Sequence, residues 1–174
     1  VPCSRVLAAQ GEFIRSFKAP VLGASEQAFG PIIDGTTLTA ATDAWSLKPG
    51  RSVDILIGTN QDEQSSSLVL DERFRNATIE QAKEVFTYFS SEHAADLLEL
   101  YSSRHPHKSP AHWLADFYTD MFYRLAVGAY ADLHARKGSR TWLYQFDWQS
   151  PGGYGACHCL ELPFVFGNLR CFAD

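Results

Sequence analysis

The run Asp54-Ile-Leu-Ile-Gly58 constrains this chain more than any other stretch of it. A strand with one wet face alternates apolar and polar residues. An unbroken apolar run closed by glycine reads instead as a strand buried on both faces, the pattern of a parallel sheet. Thr141-Trp-Leu-Tyr-Gln-Phe-Asp-Trp148 reads as a second strand, rich in the aromatic residues that suit a pleated surface. Parallel neighbours need a long crossover between them, usually helical. The intervening sequence supplies one. Thr78-Ile-Glu-Gln81 fits a capping box and predicts a helix through about Phe86. A second helix is predicted from about Ser91 to Tyr101, with Ala94, Leu97, Leu98 and Tyr101 on one apolar face. Ser109-Pro110 predicts an N-cap with proline at the first helical position. The pattern Trp113, Phe117, Met121, Leu125, Ala129, Leu133 then predicts one long helix ending near Gly138. Upstream, a short helix around Val6 to Gln10 precedes a charged connector. Residues 19–50 read as loop, punctuated by Pro20, Gly23, Gly30-Pro31, Asp34-Gly35 and Pro49-Gly50. Strand, helices, strand is an α/β order. Two strands make a poor sheet, so the amphipathic helices are expected to belong to something larger.

Composition bounds the possibilities further. The chain has 174 residues, the length of one domain, and residues 1–174 show no internal repeat and no linker that divides them. With 45% hydrophobic and 20% charged residues it is neither a disordered tail nor a heptad rod. The 13% aromatic content predicts a substantial buried core. A net charge of -5 argues against nucleic acid as a partner. No apolar stretch approaches the roughly 20 residues that span a bilayer, so no membrane partner is expected. The N-terminus, Val1-Pro2-Cys3-Ser4-Arg5, lacks the pattern of a signal peptide. Four cysteines are too few for a disulfide scaffold, so free thiols and the cytoplasm are expected, with secretion left open. Cys157-His158-Cys159 invites a metal, but paired zinc ligands are usually spaced by two or more residues, and no second pair completes a set. His105-Pro-His107 and His112, beside Arg104 and Lys108, read as a solvated basic loop.

Two segments place titratable groups just beyond the strands. Gly58-Thr-Asn-Gln-Asp-Glu63 follows the first, and Gly155-Ala-Cys-His158-Cys-Leu-Glu161-Leu-Pro-Phe-Val-Phe-Gly167 follows the second. In open α/β sheets functional groups gather at the carboxyl ends of the strands. A carboxylate on one such loop and an imidazole on the next can meet, the carboxylate orienting the ring and stabilising its imidazolium form during acyl transfer. The plainer alternative makes Asp62 and Glu63 solvated or capping acids, and His158 a histidine bonded to a backbone carbonyl.

At these residues the sequence resembles the type-B carboxylesterases, which include cholinesterase-like esterases and bacterial p-nitrobenzyl esterases. The resemblance rests on Phe29-Gly-Pro-Ile-Ile-Asp34-Gly35, Ile55-Leu-Ile-Gly-Thr-Asn-Gln-Asp-Glu63, Thr119-Asp-Met-Phe-Tyr-Arg124, Tyr144-Gln-Phe-Asp-Trp148 and Gly155-Ala-Cys-His-Cys-Leu-Glu-Leu-Pro-Phe-Val-Phe-Gly-Asn168, from about residue 28 to 169. It implies a serine hydrolase of the α/β-hydrolase fold with a Ser-Glu-His triad and no metal or organic cofactor. Glu63 falls on the triad acid and His158 on the general base, while Asp120, Arg124 and Glu161 match positions assigned to structural hydrogen bonding. The chain departs from the family at Gln64, where glycine is usual, and at Cys157 and Cys159 beside the histidine.

The Gly-x-Ser-x-Gly elbow that carries the nucleophile is absent. The nearest sequence, Gly23-Ala-Ser25-Glu-Gln27, lacks the final glycine. The fold expected is therefore the C-terminal part of an α/β-hydrolase with an incomplete sheet. The expected partners are a small ester substrate, the missing N-terminal part of the same enzyme, and other copies of the chain through its uncovered sheet. The alternative is a non-catalytic cholinesterase-like binding or adhesion protein, or an interaction module. If the two strands are parallel neighbours, a Glu63 oxygen should reach Nδ1 of His158 at about 2.6–3.2 Å.

Overall fold

The computed structural model describes residues 1–24, 29–30, 32–36 and 53–172. Most of the loop-rich stretch at 19–50, including Ser25, Pro31 and Pro49-Gly50, lies outside the described residues. The chain divides into two compact units, Val1–Ser46 and Leu47–Asp174. The first contains helix α1, Cys3–Ser16, which starts after Pro2 and is longer than the short helix predicted around Val6 to Gln10. Phe13 and Phe17 stack at its end, 6.2 Å between centroids.

In the second unit, strand β1 (Ile55–Asn60) pairs in parallel with β2 (Thr141–Phe146), Ile55 opposite Thr141 and Asn60 opposite Phe146. Between them run helices α2 (Ser66–Leu70), α3 (Glu72–Arg75), α4 (Ile79–Phe89), α5 (Ala94–Arg104), α6 (Pro110–Thr119) and α7 (Leu125–Arg136). After β2 come a 3-10 turn at Pro151–Gly153, the short helix α8 (Leu162–Val165) and a second 3-10 turn at Leu169–Phe172. No helix among the described residues is long and apolar enough to cross a membrane.

The starts of the helices follow from local chemistry. The Thr78 hydroxyl accepts from the Gln81 amide while Gln81 Oε1 accepts from the Thr78 amide, so both halves of the predicted capping box form. Asp71 caps α3 by accepting from the amides of Arg73 and Phe74. Pro110 does open α6, but Ser109 does not cap it. Its hydroxyl lies 2.9 Å from His112 Nδ1 instead. The chain turns out of α7 at Gly138, whose φ of +87° is cheap only for glycine.

The predicted long helix does run on from Pro110 to Arg136, but it is not α-helical throughout. Residues 120–124 form a π-helical turn in which the Leu125 amide donates to Asp120, five residues back. Apolar residues spaced strictly by four drift about 40° per step around an α-helix, so one face cannot hold all of Trp113 to Leu133. Phe117 is buried, whereas Leu125 faces out, 68% exposed. The basic loop is also less solvated than expected, because His105 Nε2 and Lys108 Nζ each lie 3.5 Å from Asp116 Oδ2.

The core sits among α3 to α6. Phe74, Val85, Phe86, Leu114 and Tyr118 are fully buried there. Phe86 meets Phe117 edge-on at 5.1 Å and Tyr101 at 5.9 Å. The sheet differs from the strand reading. Helix α7 packs against both strands, and its buried His134 has Nδ1 2.8 Å from the Thr141 hydroxyl. On the opposite face Leu56 and Trp142 are exposed, so β1 is not covered on both sides. Tyr144 lies on that face directly over Gly58, where any Cβ would meet the Tyr144 carbonyl and ring.

Candidate active site

Parallel strands share a carboxyl end, and the two site loops leave from it. The ladder continues one step past β1, with the Gln61 amide donating to Phe146 O at 2.9 Å. The chain then turns back on itself. Ser65 donates to Asp62 O through its amide at 2.9 Å and its hydroxyl at 2.6 Å, and the hydroxyl also reaches Tyr154 O. This turn swings Glu63 under the strand end, where its Oε1 accepts from the Asn60 amide at 2.7 Å. The side chain is only 7% exposed. Glu63 is therefore neither a solvated acid nor a helix cap.

His158 arrives from the other loop, on a turn closed by the Leu160 amide on Cys157 O at 3.2 Å. Cys159, at the third position of that turn, has φ +66°, the one left-handed residue other than glycine among those described. His158 is tied to Glu63 twice. Its amide donates to Glu63 O at 3.2 Å, and its Nδ1 lies 2.7 Å from Glu63 Oε2. An ionised carboxylate offers only acceptors, so this contact assigns the proton to Nδ1 and leaves Nε2 free to accept one. The imidazole is 55% exposed, against the burial of its acid.

The two loops are stitched together by Asn60, which sequence reasoning did not single out, and by Asp62, which it left as a solvated or capping acid. Asn60, 1% exposed, donates through Nδ2 to both Cys157 O and Glu161 Oε2 at 2.6 Å. Asp62 exchanges bonds with Ala156: its amide donates to Ala156 O, and its Oδ2 accepts from the Ala156 amide, both at 3.0 Å. A Cβ on Gly155 would lie 2.8 Å from that same Oδ2, and its φ is +61°, so the position requires glycine. The end of α6 and the π turn after it hold the acid loop from behind, with the Thr119 hydroxyl accepting from the Gln64 amide at 3.1 Å and Arg124 Nη2 donating to Gln61 O at 2.9 Å. Asp120 pairs with Arg124 and accepts from the Tyr101 hydroxyl at 2.9 Å. The family positions Asp120, Arg124 and Glu161 are thus all engaged in hydrogen bonds. Asn60 and Asp62 lay within the quoted motif, but nothing in a single sequence separates a bonded amide from an exposed one.

Burial pushes the Cys157 thiol up, and burial followed by the charges of Glu161 and Glu63 pushes Cys159 up, so both remain protonated. Among the described residues no group of three or more His, Cys, Asp or Glu side chains converges on a metal position.

A carboxylate holding one nitrogen of a half-exposed imidazole, at the carboxyl ends of adjacent parallel strands, is the geometry the motifs led to. The carboxylesterase family model matches residues 5–173. The chain belongs to that family. It is 32% identical over 147 residues to the para-nitrobenzyl esterase of Bacillus subtilis (strain 168), a match that covers 81% of this chain and 28% of the relative. It is 32% identical over 121 residues to the phenmedipham hydrolase of Pseudarthrobacter oxydans, covering 67% and 24%. A solved PNB esterase structure superposes with a TM-score of 0.66 at 25% identity, over 98% of this chain and 33% of that one. The architecture is accordingly part of an α/β-hydrolase, and the chain spans about a quarter of the length of the curated relatives it matches.

Proposed function

We propose that this carboxylesterase segment supplies the acid and the base of a Ser-Glu-His triad that hydrolyses carboxylic esters. The observation that carries the reading is the 2.7 Å contact between the buried Glu63 carboxylate and Nδ1 of the half-exposed His158. Glu63 fixes the tautomer and plane of His158. Nε2 then takes the proton of an attacking serine hydroxyl and returns it to the leaving alcohol, and the same base activates water against the acyl-enzyme. Glu63 stabilises the imidazolium that forms in both steps. No cofactor takes part.

The 174 residues contain no Gly-x-Ser-x-Gly. The serine and the oxyanion donors are assigned to sequence outside them, and the chain alone is expected to be inactive. The uncovered sheet face at Leu56 and Trp142 is where that remaining sequence packs. Without it, copies of the chain are expected to associate through the same face.

The test is labelling with an active-site-directed phosphonate. In the native enzyme the label is expected on a serine outside this chain, and there Glu63→Gln is expected to lower kcat by about 10⁴, as removing a triad acid does. The isolated chain is expected to take no label and to show no ester turnover above that of its His158→Ala variant. Stoichiometric labelling of any serine within these residues would overturn the assignment.

A further inference from the structure

His158 has one hydrogen-bonded ring nitrogen and more than half of its side chain in solvent. A single hydrogen bond fixes a distance. It leaves the imidazole free to rock about the Nδ1 contact, which moves Nε2 by much more than it moves Nδ1. The second contact on the ring is the phenol of Tyr123, with centroids 5.2 Å apart and planes at 51°. We infer that Tyr123 is a positioning residue for His158: its ring fixes the plane of the imidazole whose distance Glu63 fixes. The inference rests on the reading of Glu63 and His158 as acid and base.

The backbone supports this role in a specific way. Tyr123 lies in the π-helical turn Asp120–Arg124, and a turn of that kind inserts one extra residue and rotates everything after it by about 100°. Its neighbour Phe122, half exposed, lies against the helical layer instead, stacked on Tyr118 at 5.5 Å and edge-on to Phe89 at 5.9 Å. Tyr123 is thereby free to reach the opposite side, toward the site. The same turn is bonded to the acid loop through Arg124 on Gln61 O, beside the bond that Thr119, the last residue of α6, accepts from the Gln64 amide. One short element therefore grips the loop that carries the acid and delivers the ring that meets the base. Burial first, and then the charge of Glu63, push the Tyr123 phenol above its ordinary value. It stays neutral at working pH and adds no charge of its own beside the imidazole.

Two readouts on the purified chain test the assignment without needing the nucleophile. The first is the rate at which diethyl pyrocarbonate acylates His158, located by peptide mass. Tyr123→Leu keeps apolar volume and removes the ring plane, and it is expected to raise that rate about two- to tenfold, the scale of an aromatic pair. Tyr123→Phe is expected to stay within twofold. The second readout is the Nδ1 proton of His158 by NMR, expected to persist in Tyr123→Phe and to broaden through exchange with water in Tyr123→Leu. The thermal midpoint separates these effects from global unfolding. A Tyr123→Leu variant that folds and leaves both readouts unchanged overturns the inference, and so does a Tyr123→Phe variant as disruptive as the leucine. Glu63→Gln keeps the two ideas apart. If it frees His158 in the same assays while the Tyr123 variants do not, only the role of Tyr123 fails. If Glu63→Gln also changes nothing, the acid–base reading itself fails.

Discussion

The helical layer and the sheet of this chain are built from similarly apolar sequence and end in opposite conditions. In α4, α5 and α6, Phe86, Tyr101, Phe117 and Tyr118 find one another, and each is buried. In β1 and β2, Leu56, Trp142 and Leu143 remain exposed. A helix buries its apolar stripe against neighbours close in sequence. A strand buries its faces only when further strands and helices, often distant in sequence, complete the layers. The helical layer thus closes a core within this chain, although Tyr88, Leu100 and Leu125 stay exposed on it, and the sheet closes none. The candidate site lies at the seam, with its acid held by strand and π turn and its base on the solvent side.

The sharpest way to break that contrast is to empty the helical core. Phe86→Ala removes a fully buried ring that touches Tyr101 and Phe117, and is expected to cost about 3–5 kcal/mol in a urea melt. A loss below about 1 kcal/mol would show that the helical layer does not carry the stability.

Next in size is Gly58→Ala in the sheet. Its new methyl would have to displace the Tyr144 ring, whose carbons lie 2.6 Å from the Cβ position, together with the β2 backbone. The expected cost is about 1–3 kcal/mol, the range for overpacking. Because β1 and β2 carry the two site loops, the Nδ1 proton of His158 should weaken in the same variant. An unaffected His158 would mean that the loops hold each other without the strands.

On the exposed face the expectation reverses. Leu56→Ser with Trp142→Ser should change unfolding free energy by no more than about 0.5 kcal/mol per site. It should also lower self-association, measured by light scattering at high concentration. A strongly destabilised double variant would show that this face is packed within the single chain.

The smallest effect is a pH response confined to the helical layer. Burial, and then the charge of Lys108, hold His112 below its ordinary value of 6.5. The unfolded chain therefore binds a proton that the folded chain refuses. Stability rises with pH across the interval from the lowered value up to 6.5, and the loss is complete below it. His112→Asn should flatten the thermal midpoint over that interval, and a slope unchanged from the parent would remove His112 from the account.

Much of this could be read from the sequence, because it is decided within a few residues. The capping box at Thr78 and Gln81, the proline opening α6, the strand cores around Ile55 and Leu143 and the stop at Gly138 follow from backbone geometry and local hydrogen bonds. The resemblance also singled out Glu63 and His158, although they stand 95 residues apart. The helices α2 and α3 gave no readable signal, being too short for a period to show.

What the tertiary structure alone decided is how those pieces are held. The sequence shows Asn60, Asp62, Thr119 and Tyr123 as ordinary polar and aromatic residues. Only the parallel register of β1 and β2 brings Asn60 to Cys157 O, and Asp62 to Ala156. Only the extra residue in the π turn sets Tyr123 against His158. Hydrogen-bond and ring geometry depend on ångström-scale placement of chain segments far apart in sequence, and a residue's type carries its chemistry without that position. The unbroken apolar run in β1 correctly marked a strand of a parallel sheet. Whether both of its faces are covered depends on what packs against them, and among the described residues the helices that do so are α7 and the π turn, which leave Leu56 exposed.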